Sequence, residues 1–125
     1  MVASSWLRLL ALPALGLVLA VLGGASLAYA LLPWEVAFGL GAVLVAIGLA
    51  EGIPTGFAYH VLLYRRLHRR GALSPRWWLN PLAEHHRLRP EERPAVLALC
   101  YAGGAGFLIA MGGCLLLVIG ALHSG

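Results

Sequence analysis

The chain has 125 residues, of which 61% are hydrophobic and only 11% are charged, and its formal net charge is +4. An average soluble protein carries about 25% charged residues, so this composition excludes an ordinary water-soluble domain. It predicts an all-α integral membrane protein, with residues 1–125 forming a single membrane domain. All basic residues are arginine and all acidic residues are glutamate, which is typical of a GC-rich bacterial genome. The expected location is therefore the bacterial inner (cytoplasmic) membrane.

The first apolar segment covers about residues 6–32, and its one ionised side chain is Arg8. About 20 apolar residues cross a ~30 Å hydrocarbon layer, so this segment is long enough to span a membrane. Arg8, the apolar run and the letters ASLAYA also resemble a secretory signal peptide with a small-x-small cleavage site. Because the apolar run continues past the usual signal length, we expect this helix to be retained.

Two further segments have sufficient length and hydrophobicity to span, at about residues 36–64 and 94–122. The earlier one is interrupted only by Glu51 and Pro54. Proline cannot donate a hydrogen bond to the carbonyl of Ala50, and its ring displaces that carbonyl, so a kink is expected near Pro54. The sequence thus predicts three transmembrane helices.

Arginine predicts the orientation of these helices. The segment 65–93, between the second and third spans, contains eight of the nine arginines, and Arg8 lies near the N-terminus. Positively charged loops stay on the cytoplasmic side of bacterial membranes. We therefore expect the N-terminus and the 65–93 loop inside and the C-terminus outside.

The same loop indicates contacts with anionic lipids or with a partner protein. Arginines next to membrane helices contact anionic headgroups, and tryptophan prefers the same level of the bilayer. The residues expected to make these contacts are Arg65, Arg66, Arg69, Arg70, Trp77 and Trp78. No known nucleic-acid motif accompanies the charge, so nucleic-acid binding is not expected.

Each predicted helix carries small residues at four-residue spacing. Such stripes allow two helix backbones to approach closely in a membrane. The second span has the clearest example, with two overlapping GxxxG units. The positions concerned are Gly16, Ala20 and Gly24 in the first span, Gly48, Gly52 and Gly56 in the second, and Ala102, Gly106 and Ala110 in the third. The pattern predicts close packing among these helices and with helices of other subunits.

Glu51 lies close to the midpoint of the second span, where an acidic side chain costs about 2.5 to 3.5 kcal/mol. At 100° per residue, Glu51, Thr55 and Tyr59 form one polar stripe beside the glycines, so we expect them to face protein. Three roles are open for this stripe. A protonated Glu51 can stabilise subunit assembly, the carboxylate can couple transport to a proton or cation, or the stripe can help to bind a quinone or other cofactor.

The other chemically capable residues give weaker signals. Haem or chlorophyll needs an imidazole inside the membrane, and the one suitable residue is His60, because His123 lies at the opposite membrane face. The letters EHH at residues 84–86 resemble a metal cluster only loosely. Cys100 and Cys114 lie about 21 Å apart along one helix and cannot form a disulfide. Without aspartate or a P-loop, CxxC or HExxH motif, no catalytic or metal site and no enzymatic activity are expected.

These features predict a small, non-catalytic accessory subunit of a larger respiratory, photosynthetic or transport complex. Its partners would be other transmembrane subunits and anionic lipids. No cofactor of its own is predicted, although a haem, pigment or quinone could be shared with a partner. The alternative is a homo-oligomeric transporter or channel coupled to protons or cations through Glu51.

Overall fold

A computed structural model describes residues 2–125, with side chains from Pro13 onward. It contains the α-helices α1 (Val2–Leu31), α2 (Trp34–His68) and α3 (Arg93–His123), together with a 3₁₀ helix at Pro81–Arg87. No strand occurs among residues 2–125. The predicted all-α class is confirmed.

All three α-helices contain a stretch long and apolar enough to cross a membrane, at Pro13–Leu31, Trp34–His68 and Arg93–His123. The chain is therefore a multi-pass membrane protein by the length and composition of its helices. The side chain of Arg8, on which the predicted orientation partly rests, lies outside the described side chains.

Proline separates the first two helices. The residue before a proline is disfavoured in helical conformation, so α1 ends at Leu31, two residues before Pro33. Pro33 begins the next helix well because its missing N–H would have no partner there, and its carbonyl accepts the N–H of Ala37 at 3.0 Å. Pro54 lies inside α2, whose helical assignment continues without a break to His68. The kink expected near Pro54 stays a prediction.

The end of α2 depends on Gly71. Its φ of 63° is left-handed, a conformation that glycine adopts without a steric penalty. The N–H of Gly71 donates to the carbonyl of His68 at 3.0 Å, and the N–H of Ala72 donates to that of Leu67 at 3.1 Å. This pair of bonds is a Schellman motif, which satisfies the last carbonyls of the helix. The chain then turns into residues 69–92, which we call the cap.

Two compact units are distinguished by their internal packing: residues 1–42 with 113–125, and residues 43–112. In the former, Ala37 and Ile119 are buried. A Cβ built on Gly41 would lie 2.8 Å from the carbonyl oxygen of Gly113, so the two backbones touch there. The rings of Tyr29 and His123 stack with their centroids 4.1 Å apart.

The other unit, residues 43–112, contains the cap and the helix segments that flank it. Its core lies where the cap packs on α2 and α3. The core residues are Tyr59, Leu63, Leu67, Leu88 and Val96, with Leu62, Ala72, Leu73, Trp77, Leu99 and Cys100 packed around them. Because α2 continues to His68, the connection between the helices is shorter than the predicted loop 65–93, and it is folded against them.

Candidate functional site

Helices α2 and α3 meet through glycine within residues 43–112. A Cβ built on Gly48 would lie 2.5 Å from the backbone nitrogen of Ala110, and one built on Gly106 would lie 2.6 Å from the Cα of Gly52. Real Cβ atoms do not approach backbone atoms this closely, so the two helices are in direct backbone contact. A Cβ on Gly103 would be 3.2 Å from the Cα of Gly56.

The predicted stripes differ in their surroundings. Ala110 is buried against Gly48 of α2, and Ala102 is half-buried. By contrast, no described atom lies within 4 Å of a Cβ built on Gly16 or Gly24, and Ala20 is exposed. The stripe of α1 thus makes no close packing contact within the described chain.

Glu51 lies against Gly106. Its Oε2 atom occupies the space that a side chain at Gly106 would need, so the absence of a Cβ there makes room for the carboxyl group. This oxygen is shielded from solvent and has no hydrogen-bond partner among the described residues. A buried polar atom without a partner costs about 1 to 3 kcal/mol, which makes Glu51 the least satisfied group of the helix pair.

Thr55 and Tyr59 share the face of Glu51 but do not bond its carboxyl group. The hydroxyl of Thr55 donates to the backbone carbonyl of Glu51 at 2.6 Å, and it lies 3.3 Å from the carbonyl of Gly52. Threonine in a helix interior often bonds the carbonyl four residues earlier. The hydroxyl of Tyr59 bonds His85 instead. The side chains of Glu51, Thr55 and Tyr59 thus make no hydrogen bond with one another.

Tyr59 and His85 connect α2 to the cap. Tyr59 Oη and His85 Nε2 are 2.7 Å apart, and Tyr59 is only 5% exposed. The two rings meet edge to face with centroids 5.7 Å apart. Burial lowers the pKa of His85 from its ordinary value of 6.5, because a charged imidazole would lose solvation there. A neutral imidazole can accept a hydrogen bond from the Tyr59 hydroxyl at Nε2.

His60, the one predicted cofactor ligand, is held by its own helix. Its Nδ1 donates to the carbonyl of Gly56 at 2.8 Å, so the lone pair lies on Nε2. Metal-bound histidines commonly use this same arrangement, with one nitrogen bonded to a carbonyl. The ring of Trp77 lies nearby, 6.2 Å between centroids. No group of three or more His, Cys, Asp or Glu side chains suited to a metal ion occurs among the described residues.

The paired tryptophans have different environments. Trp77 is half-buried against the core of the cap, and its ring lies 5.5 Å from that of Tyr64. Trp78 is 62% exposed. Trp78 thus has more free surface for an interfacial contact than Trp77 has.

Two glutamates whose roles the sequence did not reveal hold the cap in place. Glu84 is 4% exposed and accepts a hydrogen bond of 2.6 Å from Ser74. Its other oxygen lies 3.4 Å from Arg87 Nη1, an ion pair without hydrogen-bond geometry. Arg87 also donates to the carbonyl of Ala72 at 2.8 Å. These bonds connect residues 72–74 of the cap to residues 84–87 of the 3₁₀ helix.

Glu92 joins the start of α3 to the end of α2. It accepts a bond of 2.7 Å from Arg70, and Arg66 lies 3.9 Å from its other oxygen. Arg70, which the sequence predicts as a lipid contact, therefore forms an ion pair with Glu92. Arg65 and Arg69 are exposed, and together with Leu62 and Arg66 they line a cavity of about 160 Å³.

Sequence reasoning missed Ser74, Glu84, His85 and Glu92 as structural groups. The sequence gives only a weak signal for these roles, because serine and glutamate ten residues apart in a loop do not predict a contact. Comparison with known proteins adds no further assignment. No protein-family model matches this chain, and no curated protein or solved structure is detectably similar to it.

Proposed function

We propose that this protein is a small, non-catalytic subunit of a larger membrane complex of the bacterial inner membrane, of respiratory, photosynthetic or transport type. In this proposal the N-terminus and the cap face the cytoplasm and the C-terminus faces outward, in accordance with the positions of the arginines. The subunit has no cofactor of its own, binds no nucleic acid, and contacts anionic lipids at the cytoplasmic face with the arginines at the end of α2 and in the cap.

The observation that carries the proposal is the uncovered stripe on α1. Gly16 and Gly24 have open space where a Cβ would project, and Ala20 between them is exposed. By contrast, Gly48 and Gly52 of α2 and Gly106 of α3 are in backbone contact. Because hydrophobicity alone gives little driving force between helices in lipid, close packing on small residues is a main source of helix association. We infer that a helix of another subunit packs on α1.

Purification of the tagged native protein in a mild detergent tests this proposal. Mass spectrometry should identify other membrane subunits in stoichiometric amounts, and an absorption spectrum would detect a haem or pigment held by them. A Gly24→Leu variant should lose these partners, since leucine fills the stripe. Gly23→Leu is the matched control, because Gly23 is also open but lies 100° away around the helix. A pure homo-oligomer would contradict the proposal.

The second candidate is a homo-oligomeric proton- or cation-coupled transporter that uses Glu51. It is favoured by one observation, the buried Oε2 atom with no hydrogen-bond partner among the described residues. Such an oxygen is satisfied by a proton, a cation or a donor from another chain. Ionisable groups inside membranes often mark ion pathways.

Glu51→Gln separates the two candidates, because the amide keeps the hydrogen-bonding shape but does not ionise. In a subunit, the variant should assemble with its partners nearly as well as the native protein. In a transporter, it should abolish pH-dependent flux into proteoliposomes, followed with a trapped pH dye, while the oligomer stays unchanged. Thr55→Val is a useful control, since Thr55 bonds only backbone carbonyls in its own helix.

A further inference from the structure

A cavity of about 300 Å³ lies where the cap meets the beginning of α3. Its lining residues are His85, His86, Leu88, Arg93 and Leu97. The volume is at the lower end of the range of about 300–1,000 Å³ that is usual for small-molecule sites. A cavity of this size suits the polar head of an amphiphile.

One part of the cavity lining is polar and carries hydrogen-bond donors. Arg93 donates from Nε to the carbonyl of Leu88 at 3.3 Å, and its two terminal NH₂ groups make no hydrogen bond with the described residues. His86 donates from Nδ1 to the carbonyl of Ala83, so its Nε2 carries the lone pair and is an acceptor. When Tyr59 donates to Nε2 of His85, the imidazole proton lies on Nδ1 and is also available. Arginine and imidazole donors are well suited to a phosphate group.

Another part of the lining is apolar, with Leu88 from the cap and Leu97 from α3. Leu88 is buried and Leu97 is half-buried. In a 3₁₀ helix, residues three apart share one face, so Leu82 lies on the same face as His85, and it is 61% exposed. Trp78 and Leu79 are exposed as well. Such exposed apolar side chains are suited to contact with the bilayer interface.

Charge around the cavity favours an anion. Residues 65–93 contain eight arginines and three glutamates. Two of these glutamates are already paired: Glu84 with Ser74 and Arg87, and Glu92 with Arg70. Only Glu91 is exposed. The positive charge of Arg93 is therefore available to a negatively charged ligand.

We propose that this cavity binds the phosphate and glycerol groups of an anionic phospholipid, with Arg93 and His85 donating to the phosphate and Leu88 and Leu97 contacting the adjoining carbon chain. A free phosphate ion would use only the polar residues. Basic pockets beside membrane helices bind anionic headgroups in this manner. The proposal does not depend on the assembly partner proposed above.

Native mass spectrometry of the full-length protein tests the site. The protein is purified and equilibrated with micelles that contain equal amounts of phosphatidylglycerol and phosphatidylcholine. We expect one phosphatidylglycerol to be retained per chain, with at least about a tenfold preference over phosphatidylcholine, as a charged hydrogen bond of this kind provides. Arg93→Gln should remove the preference. Arg76→Gln, which removes an exposed arginine of the cap outside the cavity lining, should keep it.

A second variant keeps the test valid where Arg93→Gln disturbs folding. Leu97→Phe leaves every charge in place but fills the cavity, and it should also lose the lipid. Equal retention of the two lipids by the native protein would overturn the proposal, as would an equal effect of Arg76→Gln and Arg93→Gln. Displacement of the lipid by millimolar inorganic phosphate would assign the site to free phosphate and would overturn the proposal that its ligand is a phospholipid.

Discussion

Tyr59 of α2 and His85 of the 3₁₀ helix are 26 residues apart in sequence and are joined by a hydrogen bond of 2.7 Å. This bond links the polar stripe of α2 to the cap. Tyr59 lies in the core between α2, the cap and α3, while His85 is half-buried at its edge. The cap is consequently a packed part of residues 43–112.

Removal of the Tyr59 hydroxyl should loosen the cap. Tyr59→Phe keeps the ring in the core but leaves His85 Nε2 without its partner, so we expect the free energy of unfolding to fall by about 1 kcal/mol. Hydrogen exchange followed by mass spectrometry should show faster exchange in residues 81–87. Tyr101→Phe is the matched control, because Tyr101 is exposed on α3 and should tolerate the same change.

Acid should weaken the contact between His85 and α2. Burial lowers the pKa of folded His85 below 6.5, so the unfolded chain binds the proton more readily than the folded chain does. The contribution of neutral His85 to the free energy of unfolding is complete above pH 6.5, and it is lost as the pH falls toward the pKa of His85 in the folded state.

The measurement is the unfolding midpoint in detergent from about pH 8 to about pH 5, the range in which histidines titrate. The native protein should lose stability on acidification, and His85→Gln should show a flatter profile. His86→Gln is the control, since His86 is exposed on the same 3₁₀ helix. An identical slope for the native protein and His85→Gln would show that another group controls the response.

Glycine at position 106 should be irreplaceable. A Cβ there would meet the backbone of Gly52 at 2.6 Å and also the carboxyl group of Glu51. Overpacking of this kind costs about 1 to 3 kcal/mol, so Gly106→Ala should lower the thermal unfolding midpoint in detergent. Gly104→Ala, two residues away with nothing within 4 Å of its Cβ, should have little effect.

The two ends of the GxxxGxxxG motif should respond differently to the same change. Gly48→Ala would bring a methyl group to 2.5 Å from Ala110 N, whereas a Cβ on Gly56 has open space. We therefore expect Gly48→Ala to be destabilising by a similar 1 to 3 kcal/mol and Gly56→Ala to be nearly neutral. Comparable midpoints for these two variants would be evidence against the backbone contact at Gly48.

The ion pair between Arg70 and Glu92 should contribute modestly to the docking of the cap. Its atoms are 2.7 Å apart, and the side chains are 26% and 11% exposed, respectively. A partly exposed pair contributes about 1 kcal/mol or less, and salt screens it. Arg70→Gln should lower stability more in low salt than in high salt. Arg69→Gln removes an exposed arginine and should show no such salt-dependent loss.

The class of the protein and the positions of its helices follow from local sequence properties. Long apolar runs cannot remain in water, and Pro33 and Gly71 act on the backbone of their immediate neighbours. Long apolar helices accordingly occur at Trp34–His68 and Arg93–His123, where the sequence predicts spans at about 36–64 and 94–122. The polar stripe of α2 can also be predicted from the sequence, because it depends only on the helical period.

The packing of the cap could be found only from the tertiary structure, and not from the sequence. Its core brings Tyr59 and Leu63 of α2 together with Leu88 and Val96 across a long connection, and no periodic pattern encodes such a contact. The sequence predicts a basic loop that contacts anionic lipids or a partner protein, because arginine dominates its composition. The buried position of Glu84 depends on Ser74, which only the path of the chain places within 2.6 Å.

By itself, the sequence determined that the protein is helical, that its helices can cross a membrane, and that glycine and one glutamate lie within them, since these properties depend on composition and short-range geometry. Only the tertiary structure decided which glycines are in contact. Gly48, Gly52 and Gly106 meet a neighbouring backbone, while Gly16 and Gly24 do not. Equal spacing gives equal local geometry, but contact depends on the direction from which another helix approaches.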